Sequence, residues 1–306
     1  MTNTKKTFSL LQFIRLFKDA FIELGKNDPL RMAGATAFFT TFALPPILII
    51  IIQALGLFFN PDKIRGQLFD QLSTIIGEQS VLQVVEVLKA FSDMAQNWWI
   101  TIGGFIFLLF VATTLFKVIR SSLNQVWKIR VFDKRSLVKK LSNRLRAILV
   151  ILLAGLLFTV GLLAEGAQAI LGNYLYELVP GFAPYFNSGL NHFLSIVIVT
   201  VWFAVVFRYL PDARPQWDVI LTGALLTSVL FNIGKIVIRW LLSYSNINNV
   251  YGASGSIILL LLFVFYSSLI LYYGAAFTRI WSIHHNQPIK PKPYARHYKL
   301  AETEDD

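Results

Sequence analysis

The chain contains no cysteine, which removes disulfide bonds, thiol nucleophiles and thiolate metal sites from consideration. Charge is scarce too: 15% of the 306 residues are Asp, Glu, Lys or Arg, against about 25% in ordinary soluble domains. Acids are the scarcer sign, 17 against 28 basic residues. Histidine occurs only at His192, His284, His285 and His297, with no H-x-x-x-H or H-E-x-x-H spacing and no gathered acids beside it. No Walker-type glycine loop follows a strand, and no serine sits in a nucleophile elbow. An enzyme has little to stand on here, and the sequence reads as a non-enzyme without metal or cofactor.

What the chain has in abundance is apolar length. Six runs stand out, Ala33–Phe59, Trp98–Ile119, Ala147–Leu163, Phe193–Leu210, Val219–Leu242 and Ser256–Ile280, and 55% of all residues are hydrophobic. A hydrocarbon core about 30 Å thick takes roughly 20 helical residues to cross. A soluble α-protein with several buried helices would show shorter runs and polar faces. The expectation is an all-α polytopic membrane protein: six transmembrane helices, an N-terminal amphipathic surface helix and short outer capping helices.

The net charge of +11 is placed by topology. Lys and Arg cluster before the first run, between Lys117 and Arg146, and after Arg279, whereas none lies between Ala147 and Phe207. By the positive-inside rule both termini and the second and fourth connections face the cytoplasm of a bacterial inner membrane. Anionic lipid then accounts for the sign of the charge, and nucleic acid is not needed as a partner. His192 falls outside and the other histidines inside, so they cannot share a metal. The first apolar run is too long for a cleavable signal core and is expected to remain as an anchor.

Residues 1–31 are expected to hold a basic amphipathic helix, with Leu10, Phe13, Ile14, Phe17, Phe21 and Leu24 on one stripe. Such a helix lies on the lipid surface, or binds a partner. Residues 32–282 form the membrane domain and 283–306 a disordered cytoplasmic tail, since three prolines and a terminal acidic run build no core. Pro45 and Pro46 lie well inside the first run, where they should kink or break the helix and act as packing kink or hinge. Ala33, Ala37 and Thr41 before them keep a small-xxx-small spacing suited to close helix contact. The stripes from Pro61 to Asn97, with Gly77 between, fit two outer helices. The second connection suggests that the second span continues as a helix beyond the membrane.

Charges within a span are costly and usually face protein or water. Lys235 and Arg239 sit four residues apart on one face of the fifth span, at a depth similar to Glu165 in the third. They are expected to face a polar interior, with snorkelling to headgroups as the alternative. Tyr251, Gly252 and Ser254 precede the last run, where the small residues suit a tight turn and helix N-cap and the exposed helix amides can also hold an anion. Arg208 lies near the cytoplasmic mouth, and Asn124 completes the expected substrate pathway.

Several segments together resemble the YihY/virulence factor BrkB family of bacterial membrane proteins, some members of which once carried the label ribonuclease BN. They are Arg31-Met-Ala-Gly-Ala-Thr-Ala-Phe-Phe with Leu44-Pro45, Leu123-Asn-Gln-Val-Trp127, Tyr209-Leu-Pro-Asp212, Tyr251-Gly-Ala-Ser-Gly-Ser256, Tyr266-Ser267 and Gly274-Ala275. The resemblance covers roughly residues 31–280 and implies six inner-membrane helices, with transport or export suggested for some members. Where the family commonly shows Gly-Ala-Glu, this chain has Gly274-Ala275-Ala276, and Phe263 and Phe265 stand in place of a usual Trp and Tyr. No cluster of His and carboxylate ligands supports the nuclease label.

Together these observations predict a secondary transporter or exporter of a small anionic or amphiphilic solute. The alternative is a non-transporting membrane scaffold or envelope-assembly subunit. Beyond the lipid bilayer and a small solute, self-association into an oligomer is open.

Overall fold

A computed structural model describes residues 10–94, 98–132, 145, 148–161, 164, 183–244 and 255–299. Helix α1 spans Leu10–Gly25 and α2 Pro29–Gly56. The pair α3 (Pro61–Ile76) and α4 (Glu78–Met94) precedes α5 (Trp98–Val126). A short apolar helix, α6, covers Ile148–Gly161. The long helices α7 (Ala183–Tyr209), α8 (Trp217–Tyr244) and α9 (Gly255–His284) follow. Four short strands, β1 (Ile129–Val131), β2 (Ala213–Arg214), β3 (Lys290–Pro291) and β4 (Ala295–His297), pair as two antiparallel ribbons, β1 with β4 and β2 with β3.

Windows in four helices are long and apolar enough to cross a membrane: Pro29–Gly56, Ser188–Tyr209, Trp217–Ile238 and Ile257–His284. They also leave much of their apolar surface uncovered. Val197, Val201, Leu221, Leu225, Ile233 and Ile236 are all exposed, a contiguity that water does not tolerate and lipid does.

Local chemistry sets the corners. Asn60 caps α3, its Oδ1 accepting from the amides of Asp62 (2.9 Å) and Lys63 (3.4 Å), while Pro61 takes the first turn, where no amide partner is needed. Gly77 turns the chain from α3 into α4 at φ 85°, a conformation that costs other residues a clash at Cβ. Residues Pro45 and Pro46 do not break α2: one helix runs through them, and both rings are buried. Two backbone donors are lost at that point, but the fixed φ of proline is itself helical, and packing against the surrounding helices keeps the helix continuous through the gap.

Helix α2 packs between α5 and α9, and α8 between α7 and α9. The α8–α9 contact is set by small residues in reciprocal places. A Cβ at Gly223 of α8 would collide with Thr278 of α9, and a Cβ at Gly274 of α9 with Thr227 of α8. Each threonine turns its hydroxyl back to its own helix, Thr227 Oγ1 to Gly223 O (2.6 Å) and Thr278 Oγ1 to Gly274 O (2.7 Å). A Cβ at Gly234 would collide with the Tyr266 ring in the same way. Close approach by small residues is how helices associate where apolar solvent gives no hydrophobic drive.

Helix α1 lies against α9. Leu16, Ala20 and Leu24 are buried, and Phe17 meets Phe277 with ring centroids 5.3 Å apart. Ile14 and Phe21 of the same helix remain exposed. The segment expected to be a disordered tail is instead folded as far as Lys299: Ile289 and Ala295 are buried, and β3 and β4 pair with strands from earlier connections. Proline at a ribbon edge is compatible with a short strand, and composition alone does not reveal the partners waiting elsewhere in the chain.

Candidate functional site

The ribbons lie at the end of the bundle where α5 and α7 finish and α8 begins. Here the Leu123–Trp127 and Tyr209–Asp212 motifs, far apart in sequence, meet. Asp212 is fully buried in the corner between α7 and β2. Arg120, one turn before Asn124 on α5, grips it bidentately: Nε donates to Oδ2 at 2.8 Å and Nη2 to Oδ1. Asn124 Nδ2 donates to Asp212 Oδ2 (2.8 Å), and its Oδ1 accepts from the Asp212 amide (2.8 Å). Tyr294, beside β4, donates to Asp212 Oδ1 at 3.0 Å. Burial by itself raises the Asp212 carboxyl, but the bonds and charge of Arg120, helped by Asn124 and Tyr294, outweigh it and hold the group below its ordinary value.

The polypeptide is tied down around this carboxylate. Lys292 donates through its amide to Asp212 O (3.0 Å) and through Nζ to Pro211 O (2.7 Å). Trp127, fully buried, donates from Nε1 to Ala275 O on α9 (2.9 Å). A second hub joins α1 to the same end. Glu23 pairs with Arg279 (2.7 Å) and Lys128 (3.6 Å), and Lys128 Nζ donates to Asn27 Oδ1 (2.9 Å). Gln125 Nε2 donates to Asn27 O (3.0 Å), and Arg31 Nη2 reaches Gln125 Oε1 at 3.4 Å. Interlinked ion pairs and hydrogen bonds of this kind rigidify the structure around them.

Above this end, within the bundle, lies a cavity of about 410 Å³, inside the roughly 300–1,000 Å³ range of small-molecule pockets. Helices α2, α5, α6, α7, α8 and α9 all contribute to its wall. Most of the lining is apolar: Ile119, Ala154, Phe158, Val199, Trp202 and Phe231 are representative. Hydroxyls occupy one side, from Thr36 and Thr40 on α2 and Ser267 and Ser268 on α9. Thr36 Oγ1 donates to Met32 O (2.9 Å), so the 2.5 Å contact with Tyr272 Oη has the tyrosine as donor. Ser268 bonds its own helix at Val264 O (2.7 Å), whereas the buried Ser267 Oγ has no hydrogen-bond partner among the described residues.

Lys235 adjoins this cavity without lining it. Its Nζ lies 5.7 Å from the ring centroid of Phe231, a wall residue, and 3.3 Å from Ser195 Oγ on α7. Ser195 donates to Asn232 Oδ1 (2.9 Å), Asn232 Nδ2 to Ser228 O (2.9 Å), and Ser228 Oγ to Ile196 O (2.8 Å). The α7–α8 seam is thus polar along one edge of an otherwise apolar pair.

Of the residues expected on a substrate pathway, Lys235 reaches this seam. Asn124 does not line the cavity but belongs to the Asp212 junction. Arg208 is held locally, donating to Pro215 O and lying 5.2 Å over the Trp217 ring. Glu165, Tyr251, Gly252, Ser254 and the side chain of Arg239 lie outside the described residues. Asp212, Arg120 and Tyr294 were not singled out from sequence. Asp212 was visible only as the acid closing Tyr-Leu-Pro-Asp, and Tyr294 sat in the supposed tail.

The profile of the family described as virulence factor BrkB matches residues 20–298. A membrane protein of Saccharophagus degradans named UPF0761 is 25% identical over 276 residues, which cover 89% of this chain and 60% of that protein. The chain therefore spans well under two thirds of that relative's length. The UPF0761 membrane protein of Psychromonas ingrahamii is 23% identical over 91% of this chain and 89% of its own length. That of Actinobacillus pleuropneumoniae is 23% identical over 82% and 88% respectively. No solved structure matches. With a match that takes in every helix from the end of α1 to the second ribbon, this chain belongs to the virulence factor BrkB family of membrane proteins.

Proposed function

We propose that the chain is an inner-membrane secondary transporter that exports a small amphiphilic, anionic solute. In this proposal α5 and α6 join the four long apolar helices as spans, giving six in all, with both termini and the two ribbons on the cytoplasmic side. The observation that carries it is the open cavity lined by residues of six helices, with a lysine-bearing polar seam at its edge. A bundle packed solid with Leu and Phe would have left no place for a solute.

The parts then take distinct roles. Lys235 forms the charged approach from the outer side, and Arg239, Glu165, Tyr251, Gly252 and Ser254 are assigned to the same approach by their positions in the sequence alone. Arg208 supplies positive charge at the cytoplasmic mouth. Pro45 and Pro46 leave the carbonyls of Thr41 and Phe42 without their usual helical donors, so α2 bends most readily there. The junction of Arg120, Asn124 and Asp212 is a fixed base against which the rest moves.

The scaffold alternative is favoured by a different observation: Phe21 is 70% exposed and Ile14 58% exposed on a helix already docked to the bundle. A partner or the lipid surface can cover them. The deciding experiment is untargeted metabolite profiling of a deletion strain, paired with flux measurements in vesicles reconstituted with the full chain. An accumulated compound that the vesicles carry supports transport. No accumulation and no flux points to the scaffold.

A further inference from the structure

We propose that the central cavity is the tail pocket of a binding site for a single-chain anionic amphiphile, a carboxylate or phosphate on one hydrocarbon chain, with its head at Lys235 and its chain running inward. This rests on the transporter proposal and names the class of molecule it would carry.

Position along the helices carries the inference. Ser195 precedes the wall residues Ile198 and Val199 by about one turn on α7, and Lys235 follows the wall residue Phe231 by one turn on α8. Helix α7 runs toward the ribbons and α8 away from them, so both displacements point the same way. The charge therefore sits one turn beyond the cavity, on the side away from the ribbons. Lys235 comes 18 residues after Trp217, about 27 Å along the axis at 1.5 Å per residue, which is near the far boundary of a hydrocarbon core of roughly 30 Å. The site thus has a cationic end at headgroup depth and an apolar interior below it.

That polarity selects its occupant. A small anion gains nothing from walls made of Ile119, Phe158, Trp202 and Phe231, and a bare hydrocarbon gains nothing from an ammonium. A molecule with both parts is served by the whole site. Ser267 lines the cavity beside Ser268, and with Thr36 and Thr40 it gives the apolar interior one hydroxyl-bearing side.

The test uses the purified full chain in detergent and cis-parinaric acid, a fluorescent single-chain carboxylate whose absorption overlaps tryptophan emission. Trp202 in the cavity wall acts as donor. Saturable energy transfer is expected, displaced by dodecyl phosphate but not by inorganic phosphate or acetate. Lys235→Gln should weaken the acid about tenfold, the loss of one charge-assisted contact, and leave its methyl ester unaffected, while Lys235→Arg retains the acid. Ala154→Phe, which fills the cavity, should abolish binding of both, and Ala154→Ser should preserve it. Equal binding of acid and ester, displacement by acetate, or indifference to Ala154→Phe in a protein that still elutes as wild type overturns the proposal. Binding with the expected signatures but no flux in vesicles removes the transporter proposal and keeps the site. Flux of another solute by a protein that fails the titration removes the site alone.

Discussion

Arg120 and Asp212, 92 positions apart in sequence, form a buried bidentate ion pair that joins the end of α5 to the corner between α7 and α8. Both charges are shielded from water, and Asn124 and Tyr294 complete the coordination of the carboxylate. The pair is therefore worth most when intact, and its two halves are costly when separated.

Removing one half should show that cost. Arg120→Leu leaves Asp212 buried without its counter-ion and should destabilise the protein by about 3–5 kcal/mol. Thermal unfolding of the detergent-solubilised protein, followed by far-UV circular dichroism, reads this directly. The double variant Arg120→Leu/Asp212→Leu should recover part of the loss, because no lone charge remains. Equal stability of the single variant and wild type would show that the pair contributes nothing.

The same carboxylate makes stability depend on pH. Its folded-state value is held below the ordinary one, so the unfolded chain binds a proton more readily than the folded chain does. The stabilisation is thus complete above the unfolded carboxylate value of about 3.9 and is lost as pH falls through the depressed folded value. Unfolding midpoints measured from pH 6 to pH 2.5 should fall more steeply for wild type than for Asp212→Asn in that acid window. Parallel curves would contradict this.

At the α8–α9 contact, Gly223→Ala and Gly274→Ala each place a methyl group where a threonine hydroxyl already stands. Overpacking of that kind costs about 1–3 kcal/mol when neighbours must shift. Adding Thr278→Ala to Gly223→Ala, which removes the colliding hydroxyl but leaves its Cβ 2.9 Å from the new methyl, should return part of it. Adding Thr227→Ala to Gly223→Ala should not, because Thr227 faces the other glycine. The pattern of rescue, read from unfolding midpoints, separates relief of a local clash from the general gain in helix propensity that any Gly→Ala or Thr→Ala change brings.

Ala276 is fully buried on α9, next to Ala275, whose carbonyl accepts from Trp127. The family resemblance puts a glutamate at this position. Ala276→Glu brings a carboxyl into an apolar setting, so the variant should be less stable than wild type at pH 7.5, and the deficit should shrink as pH falls and the group is neutralised. A variant as stable as wild type at pH 7.5 would mean that a cation or donor nearby receives it.

How much of this was legible beforehand differs by element. The long apolar helices, the α3–α4 pair with Gly77 between them, and the extension of α5 to Val126 are all local properties of periodicity and length. So was the unusual status of Lys235, because a charge inside an apolar run has to be accounted for wherever it falls. The Pro45–Pro46 break was overestimated, since helix continuity there is decided by packing on both sides of the pair. The folded segment from Asn286 to Lys299 was missed because its strands are two or three residues long and acquire partners only from β1 and β2.

By itself the sequence determined that this protein lives in a bilayer, because hydrophobic length is additive along the chain and independent of neighbours. It also carried the family, through short motifs in a fixed order. Only the tertiary structure decided that the Leu123–Trp127 and Tyr209–Asp212 motifs are two halves of one junction, that the chain's end is stitched onto it, and that six helices leave a hollow beside Lys235. Ion pairing, hydrogen-bond closure and the space left between side chains are relations among distant residues, and they exist only once the chain has brought those residues within a few ångströms of each other.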